Sequence, residues 1–183
     1  MIGVNQSCLL DPHGIGRVMK VIVAGEGGIG KTSLVKTCCD GRASTTSKLT
    51  IGIKVHVKSL QVDGKPVHVS IWDFGGQEQF RFILDSFLGG ARAGLACFSL
   101  ERFQSFVSID EWIKLLRSRD PALPILLVGT KSDLEDDQVC KVHDDDIRKV
   151  IETHALSGYI RTSSHSGEGT GNLLDVLVSL TMS

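Results

Sequence analysis

The run Gly25-Glu26-Gly27-Gly28-Ile29-Gly30-Lys31-Thr32 lies between a strand-like and a helix-like segment, and few folds tolerate that order. It fits the pattern Gly-x-x-x-x-Gly-Lys-[Ser/Thr]. Before it, residues 18–24 form a short β-branched, apolar run that reads as a buried parallel strand. After it, Ser33-Leu34-Val35-Lys36-Thr37-Cys38-Cys39 reads as helical turns. A strand, a glycine-rich turn and a helix N-terminus aim several backbone N–H groups at one point, which suits a polyphosphate. Lys31 is placed to reach the outer phosphates, and the Thr32 hydroxyl to bind Mg²⁺.

Three further segments bear on which nucleotide the loop would hold. Trp72-Asp73-Phe74-Gly75-Gly76-Gln77 ends another strand, where the Asp73 carboxylate can face Mg²⁺ and the Gly76 N–H a γ-phosphate. Thr130-Lys131-Ser132-Asp133 follows the strand ending at Gly129. A carboxylate there accepts from the N1–H and exocyclic amine of guanine, a donor pair that adenine lacks. Thr162-Ser163-Ser164-His165 closes a last short strand, with backbone N–H groups placed toward guanine O6.

With these motifs in register, the chain resembles a Ras-like small GTPase of the Ras/Rab/Rho/Arf superfamily, from about Val18 to Leu180. The subfamily is not assignable: Gly-Gln-Glu-Gln-Phe-Arg after Asp73 is Rab-like, while Thr-Lys-x-Asp also occurs in Rho-type members. The resemblance implies an α/β fold of the P-loop NTPase class. Its sheet would have six mostly parallel strands, one antiparallel edge strand, and helices on both faces. It implies bound GTP or GDP with Mg²⁺, held by Gly25, Glu26, Gly27, Gly28, Ile29, Gly30, Lys31, Thr32, Ser33, Thr50, Gly76, Thr130, Lys131, Asp133, Ser163, Ser164 and His165. Thr32, Thr50 and Asp73 would surround the metal, and Gln77 and Lys31 would act on the reaction. Loss of the γ-phosphate would loosen switch segments near 41–50 and 74–92. Effector, exchange-factor and GTPase-activating proteins are the implied partners of a monomer that hydrolyses GTP slowly by itself. Two other functions weigh against this one: a non-cycling nucleotide-bound scaffold, and a nucleoside kinase, for which no lid or acceptor segment is evident.

The chain departs from the family pattern in three places. No aromatic residue lies between Gly41 and Leu49 to meet the guanine edge. The last motif reads Ser-Ser-His where Ser-Ala-Lys is usual, and no arginine stands just before Thr50 as a built-in finger.

The remaining sequence fits one domain of 183 residues, read as a flexible extension over 1–17 and a nucleotide-binding domain over 18–183. A net charge of −1 gives no field for nucleic acid. The five cysteines lack zinc spacing, and the reading is reduced thiols in the cytoplasm. Myristoylation needs a glycine directly after Met1, where Ile2 stands, and Leu180-Thr181-Met182-Ser183 shows no lipid-anchor signal. The acidic runs at 135–137 and 144–146 lack the glycine and spacing of a Ca²⁺ loop.

Strands are expected near 18–24, 51–60, 66–72, 93–99, 124–130 and 158–162. Helices are expected near 31–40, 79–90, 102–118, 143–156 and 169–180. Ile51, Ile53, Val55 and Val57 alternate with Gly52, Lys54, His56 and Lys58, the lysines on the outer face of an edge strand. Asp63-Gly64 signals the turn that brings the chain back antiparallel.

Overall fold

Strand β1 (Arg17–Ala24) carries apolar side chains on both faces, as a central parallel strand must, and two cores grow from it. The computed structural model describes residues 17–41, 49–134 and 142–182, and at 78–80 the backbone alone. The further strands are β2 (Ile53–Val62), β3 (Lys65–Phe74), β4 (Ala91–Ser99), β5 (Ile125–Thr130) and β6 (Gly158–Arg161). They form one six-stranded sheet in the order β2-β3-β1-β4-β5-β6. Only the β2–β3 pair is antiparallel, as expected from Asp63-Gly64, where both residues take positive φ, 50° and 73°.

Met19, Val21 and Val23 face α1 (Lys31–Asp40) and α6 (Leu173–Met182). Ile22 and Ala24 face α2 (Glu78–Phe87), α3 (Phe103–Val107), α4 (Ile109–Leu116) and α5 (Asp144–Thr153). The P-loop α/β architecture with helices on both faces is therefore present. Cys38 and Cys39 pack along α1 as expected, and burial pushes the Cys38 thiol up to about 12.

Several boundaries differ from expectation for local reasons. Arg17 already pairs with Val67, so β1 begins one residue earlier than the boundary read from the sequence; residues 1–16 lie outside the described residues. The single helix over 102–118 breaks at Ser108, whose dihedrals of −84° and 0° close α3 and open α4. Its hydroxyl is drawn away to Glu26 Oε1 at 2.6 Å, a long-range demand that helical periodicity cannot show. The final helix starts at Leu173 and not near 169. Gly169 takes φ 65° there, and a Cβ on it would stand 1.9 Å from the Arg161 carbonyl oxygen, so the segment is a tight crossing.

Lys54 is exposed as expected, but further along β2 the faces are reversed. Val55 and Val57 are exposed, while Lys58 is half-buried and donates to the Cys39 carbonyl at the end of α1, at 2.5 Å. An orphaned helix-end carbonyl captures the lysine, and its stem covers apolar surface.

Candidate phosphate and guanine site

The ends of β1, β3 and β5 converge where α1 begins, and a cavity of about 180 Å³ opens there. Gly27, Gly28, Gly30, Lys31, Thr32, Ser33, Thr50, Gly76, Gln77 and Lys131 line it, together with Leu49 and Phe74. The first turn of α1 therefore faces the cavity with its free N–H groups, the arrangement expected for anion binding.

Other residues of the glycine-rich run support the loop from behind. Gly25 lies so close to β4 that a Cβ would stand 2.3 Å from the Cys97 carbonyl oxygen. Ile29 is buried in the core shared with α1. Glu26 points outward to Arg102 and Ser108. Gly76 presses on the loop from β3, since a Cβ there would meet the Glu26 carbonyl carbon at 2.1 Å.

Lys31 is 5% exposed, and its ammonium donates to the carbonyls of Gly25 at 2.7 Å and Glu26 at 2.5 Å. Burial lowers its pKa from the ordinary lysine value, opposed by the Cys97 thiol and the Asp73 carboxylate. A cation in so dry a place interacts strongly with any phosphate that enters.

Thr32, Thr50 and Asp73 meet as the sequence predicts. Thr32 Oγ1 lies 2.5 Å from Thr50 Oγ1 and donates to Asp73 Oδ2 at 2.5 Å. Asp73 is fully buried, and among the described residues its Oδ1 has no hydrogen-bond partner. Burial raises its pKa, against the Thr32 hydrogen bond and the Lys31 charge. A buried carboxylate oxygen without a donor, beside two hydroxyl oxygens, is a donor set that fits a hard cation such as Mg²⁺. Gln77 occupies the position just before α2, with dihedrals of −77° and 143°, and borders the same cavity.

The guanine motifs come together on the other side of Lys131. Lys131 takes φ 58° and pairs with Glu101 at 2.7 Å. Asp133 sits in a short 3-10 turn, Ser132–Leu134, and accepts a hydrogen bond from Ser163 Oγ at 2.5 Å. The Ser163 hydroxyl in turn accepts from the N–H groups of His165 and Ser166, both at 3.1 Å. Its orientation is thereby fixed, and with it one carboxylate oxygen. Ser164 is half-buried and, with the exposed His165, borders a second hollow of about 570 Å³ between α1 and the start of α6.

Thr130, expected at the nucleotide, also has a structural part. Its buried hydroxyl donates to Ile29 at 2.5 Å and Phe98 at 2.9 Å, so it ties β5 to the phosphate loop. The expectations for residues 42–48 lie outside the described residues.

The family model described as Ras family matches residues 20–182. The chain belongs to the Ras family. Among curated relatives, it is 40% identical over 118 residues to Ras-related protein RIC2 of Oryza sativa subsp. japonica, over 64% of this chain and 54% of that one. It is 34% identical over 140 residues to Ras-related protein RABA1c of Arabidopsis thaliana, covering 76% and 64%. The chain thus spans between 54% and 64% of the length of these relatives. Ras-like membership with the subfamily open agrees with the motif reading.

Sequence reasoning missed Arg102 and Ser108, which reach the loop from 75 or more residues away. The one available signal was Glu26 itself, an acid in a phosphate loop that calls for a nearby cation.

Proposed function

We propose that this protein is a guanine-nucleotide switch that binds GTP or GDP with Mg²⁺ and hydrolyses GTP slowly. The observation carrying this reading is the meeting of Thr32, Thr50 and Asp73, which come from three separate segments of the chain. Thr50 precedes β2 and Asp73 lies at the end of β3, so whatever occupies the site bears on both. A γ-phosphate would hold Thr50 and the Gly76 N–H, and its loss would free the segments near 41–50 and 74–92. The Ser163-held carboxylate of Asp133 supports guanine over adenine, because adenine lacks the N1–H and amine pair that would meet its remaining acceptor sites.

Chemistry here is mainly positioning and charge neutralisation. The N–H groups at the start of α1 and the Lys31 ammonium bind the phosphates, and Gln77 orients the attacking water. Bound Mg²⁺, held by Thr32, Asp73 and Thr50, would supply Lewis-acid stabilisation of phosphate charge. The intrinsic rate is on the order of 10⁻⁴ to 10⁻² s⁻¹, with an arginine from an activating protein adding roughly 10³ to 10⁵. Exchange factors and effectors complete the proposed cycle of a monomer in the cytoplasm, a location that the free thiols of Cys38, Cys39 and Cys97 support.

The test is chromatographic analysis of nucleotide released from the purified full chain, followed by single-turnover hydrolysis of GTP. Co-purified GDP or GTP, with conversion faster than buffer, is the expected result. Equal competition by ATP would defeat the guanine assignment. Retained guanine nucleotide with no conversion over days would make the protein a nucleotide-bound interaction module.

A further inference from the structure

The outer side of the phosphate loop is occupied by a second cation. Arg102 Nη2 donates to Glu26 Oε2 and to the Gly27 carbonyl, both at 2.9 Å. Ser108 donates to the other oxygen of Glu26, Oε1, at 2.6 Å. The Arg102 backbone is also fixed: its N–H donates to Ser99 at 3.1 Å, and its carbonyl accepts from the buried Ser105 hydroxyl at 2.6 Å. The guanidinium is therefore presented from a rigid corner.

In a trans peptide the carbonyl and the following N–H point in opposite directions. Holding the Gly27 carbonyl outward on Arg102 turns the Gly28 N–H inward, toward the cavity that Gly27 and Gly28 line. This corner of the loop faces the segment after β3: a Cβ on Gly27 would lie 3.7 Å from the Gly76 carbonyl oxygen and 4.0 Å from the Gln77 nitrogen. Lys31 and Thr32 serve the opposite side, at the start of α1.

We propose that Arg102 is a positioning residue of the phosphate loop, which fixes the Gly28 N–H through the Gly27 carbonyl and thereby favours triphosphate over diphosphate. The proposal rests on the guanine-nucleotide reading above. The chemistry of the side chain supports it: the fork geometry of a guanidinium spans the Glu26 carboxylate and the Gly27 carbonyl together, which a lysine ammonium does with less directional control.

The test compares dissociation constants for fluorescent GDP and for a fluorescent non-hydrolysable GTP analogue, on the full chain with Mg²⁺. Relative to the parent, Arg102→Ala should weaken the GTP analogue by about five- to tenfold and GDP by less than about twofold. Arg102→Lys should recover only part of that bias. Ser108→Ala, which leaves Arg102 in place but frees one Glu26 oxygen, should shift the ratio the same way by a smaller factor, and it serves if Arg102→Ala fails to fold. An unchanged ratio in Arg102→Ala, or in Ser108→Ala where that variant stands in for it, overturns the proposal. Full recovery by lysine overturns the positioning role, because a point charge would then suffice. If the parent binds neither nucleotide, the guanine-nucleotide reading falls and this proposal falls with it. If the parent binds both and the ratio does not move, only this proposal falls.

Discussion

Gln77 stands between β3 and α2, at the mouth of a cavity whose opposite wall is the start of α1. A side chain there can act on a water near the outer phosphate while contributing little to holding the nucleotide. Gln77→Leu should therefore slow single-turnover hydrolysis by about ten- to a hundredfold and leave GTP affinity within about twofold, since the loss falls on the transition state. A variant as fast as the parent would remove Gln77 from the mechanism. Asp133 has the opposite character. It is tied to Ser163, and its remaining acceptor capacity would meet the base of the proposed nucleotide. Asp133→Ala should lower guanine-nucleotide affinity by about two or more orders of magnitude, measurable by competition, while the fold survives because the 3-10 turn is exposed.

Among the elements, α2 is held in place by contacts that its own sequence does not show. Arg81 pairs with Glu111 and lies 4.5 Å from the centre of the Trp112 ring, and Asp85 accepts from Ser118 and Arg119. The last turn of α2 ends on Lys20 of β1, whose ammonium donates to the Phe87 carbonyl at 2.6 Å and to Gly89 at 3.0 Å, with the Trp72 ring 4.1 Å away. Orphan carbonyls at a helix end and a ring face are both good partners for a cation. Lys20→Met keeps the apolar stem and removes the charge, and it should cost about 1–2 kcal/mol in urea unfolding. The loss should be concentrated at α2, visible as faster amide exchange there than in α6. Arg119→Ala removes only an exposed, solvent-screened pair and should leave the urea midpoint close to that of the parent at neutral pH.

For the whole molecule, two exposed carboxylates that join elements add a small part to the acid response. The Arg119 hydrogen bond holds Asp85 below the ordinary carboxylate value of 3.8, and the Lys114 hydrogen bond, with His154, does the same for Asp110. Lowered folded-state values mean stability present above pH 3.8 and lost as pH falls through the folded values. The urea midpoint should decline below about pH 4, and an Asp85→Asn, Asp110→Asn double variant should show a shallower decline, with the difference reduced by salt. Removing Mg²⁺ with EDTA should speed nucleotide release at least about tenfold, because Asp73 would again be buried with one oxygen that no donor meets. A release rate insensitive to EDTA would argue against Thr32, Thr50 and Asp73 as metal ligands.

The sequence by itself determined most of the order of strands and helices, the antiparallel hairpin and the meeting of Thr32 with Asp73, because these depend on local turn chemistry, periodicity and spacing. Asp63-Gly64 makes its turn wherever it stands, and strand ends bring Lys31, Thr32 and Asp73 to one edge of a parallel sheet. Tertiary structure alone decided the rest. Ser108 stands at the break between α3 and α4 with its hydroxyl on Glu26, 82 residues earlier. Lys58 turns inward because α1 ends beside β2 with a free carbonyl at Cys39. Thr130 ties β5 to the phosphate loop because the Ile29 carbonyl lies 2.5 Å from its hydroxyl. Arg102 joins the phosphate loop because β4 delivers it beside β1. In each case one polar group satisfies another that is distant in the chain, and such pairings carry no period or local pattern for a sequence to display.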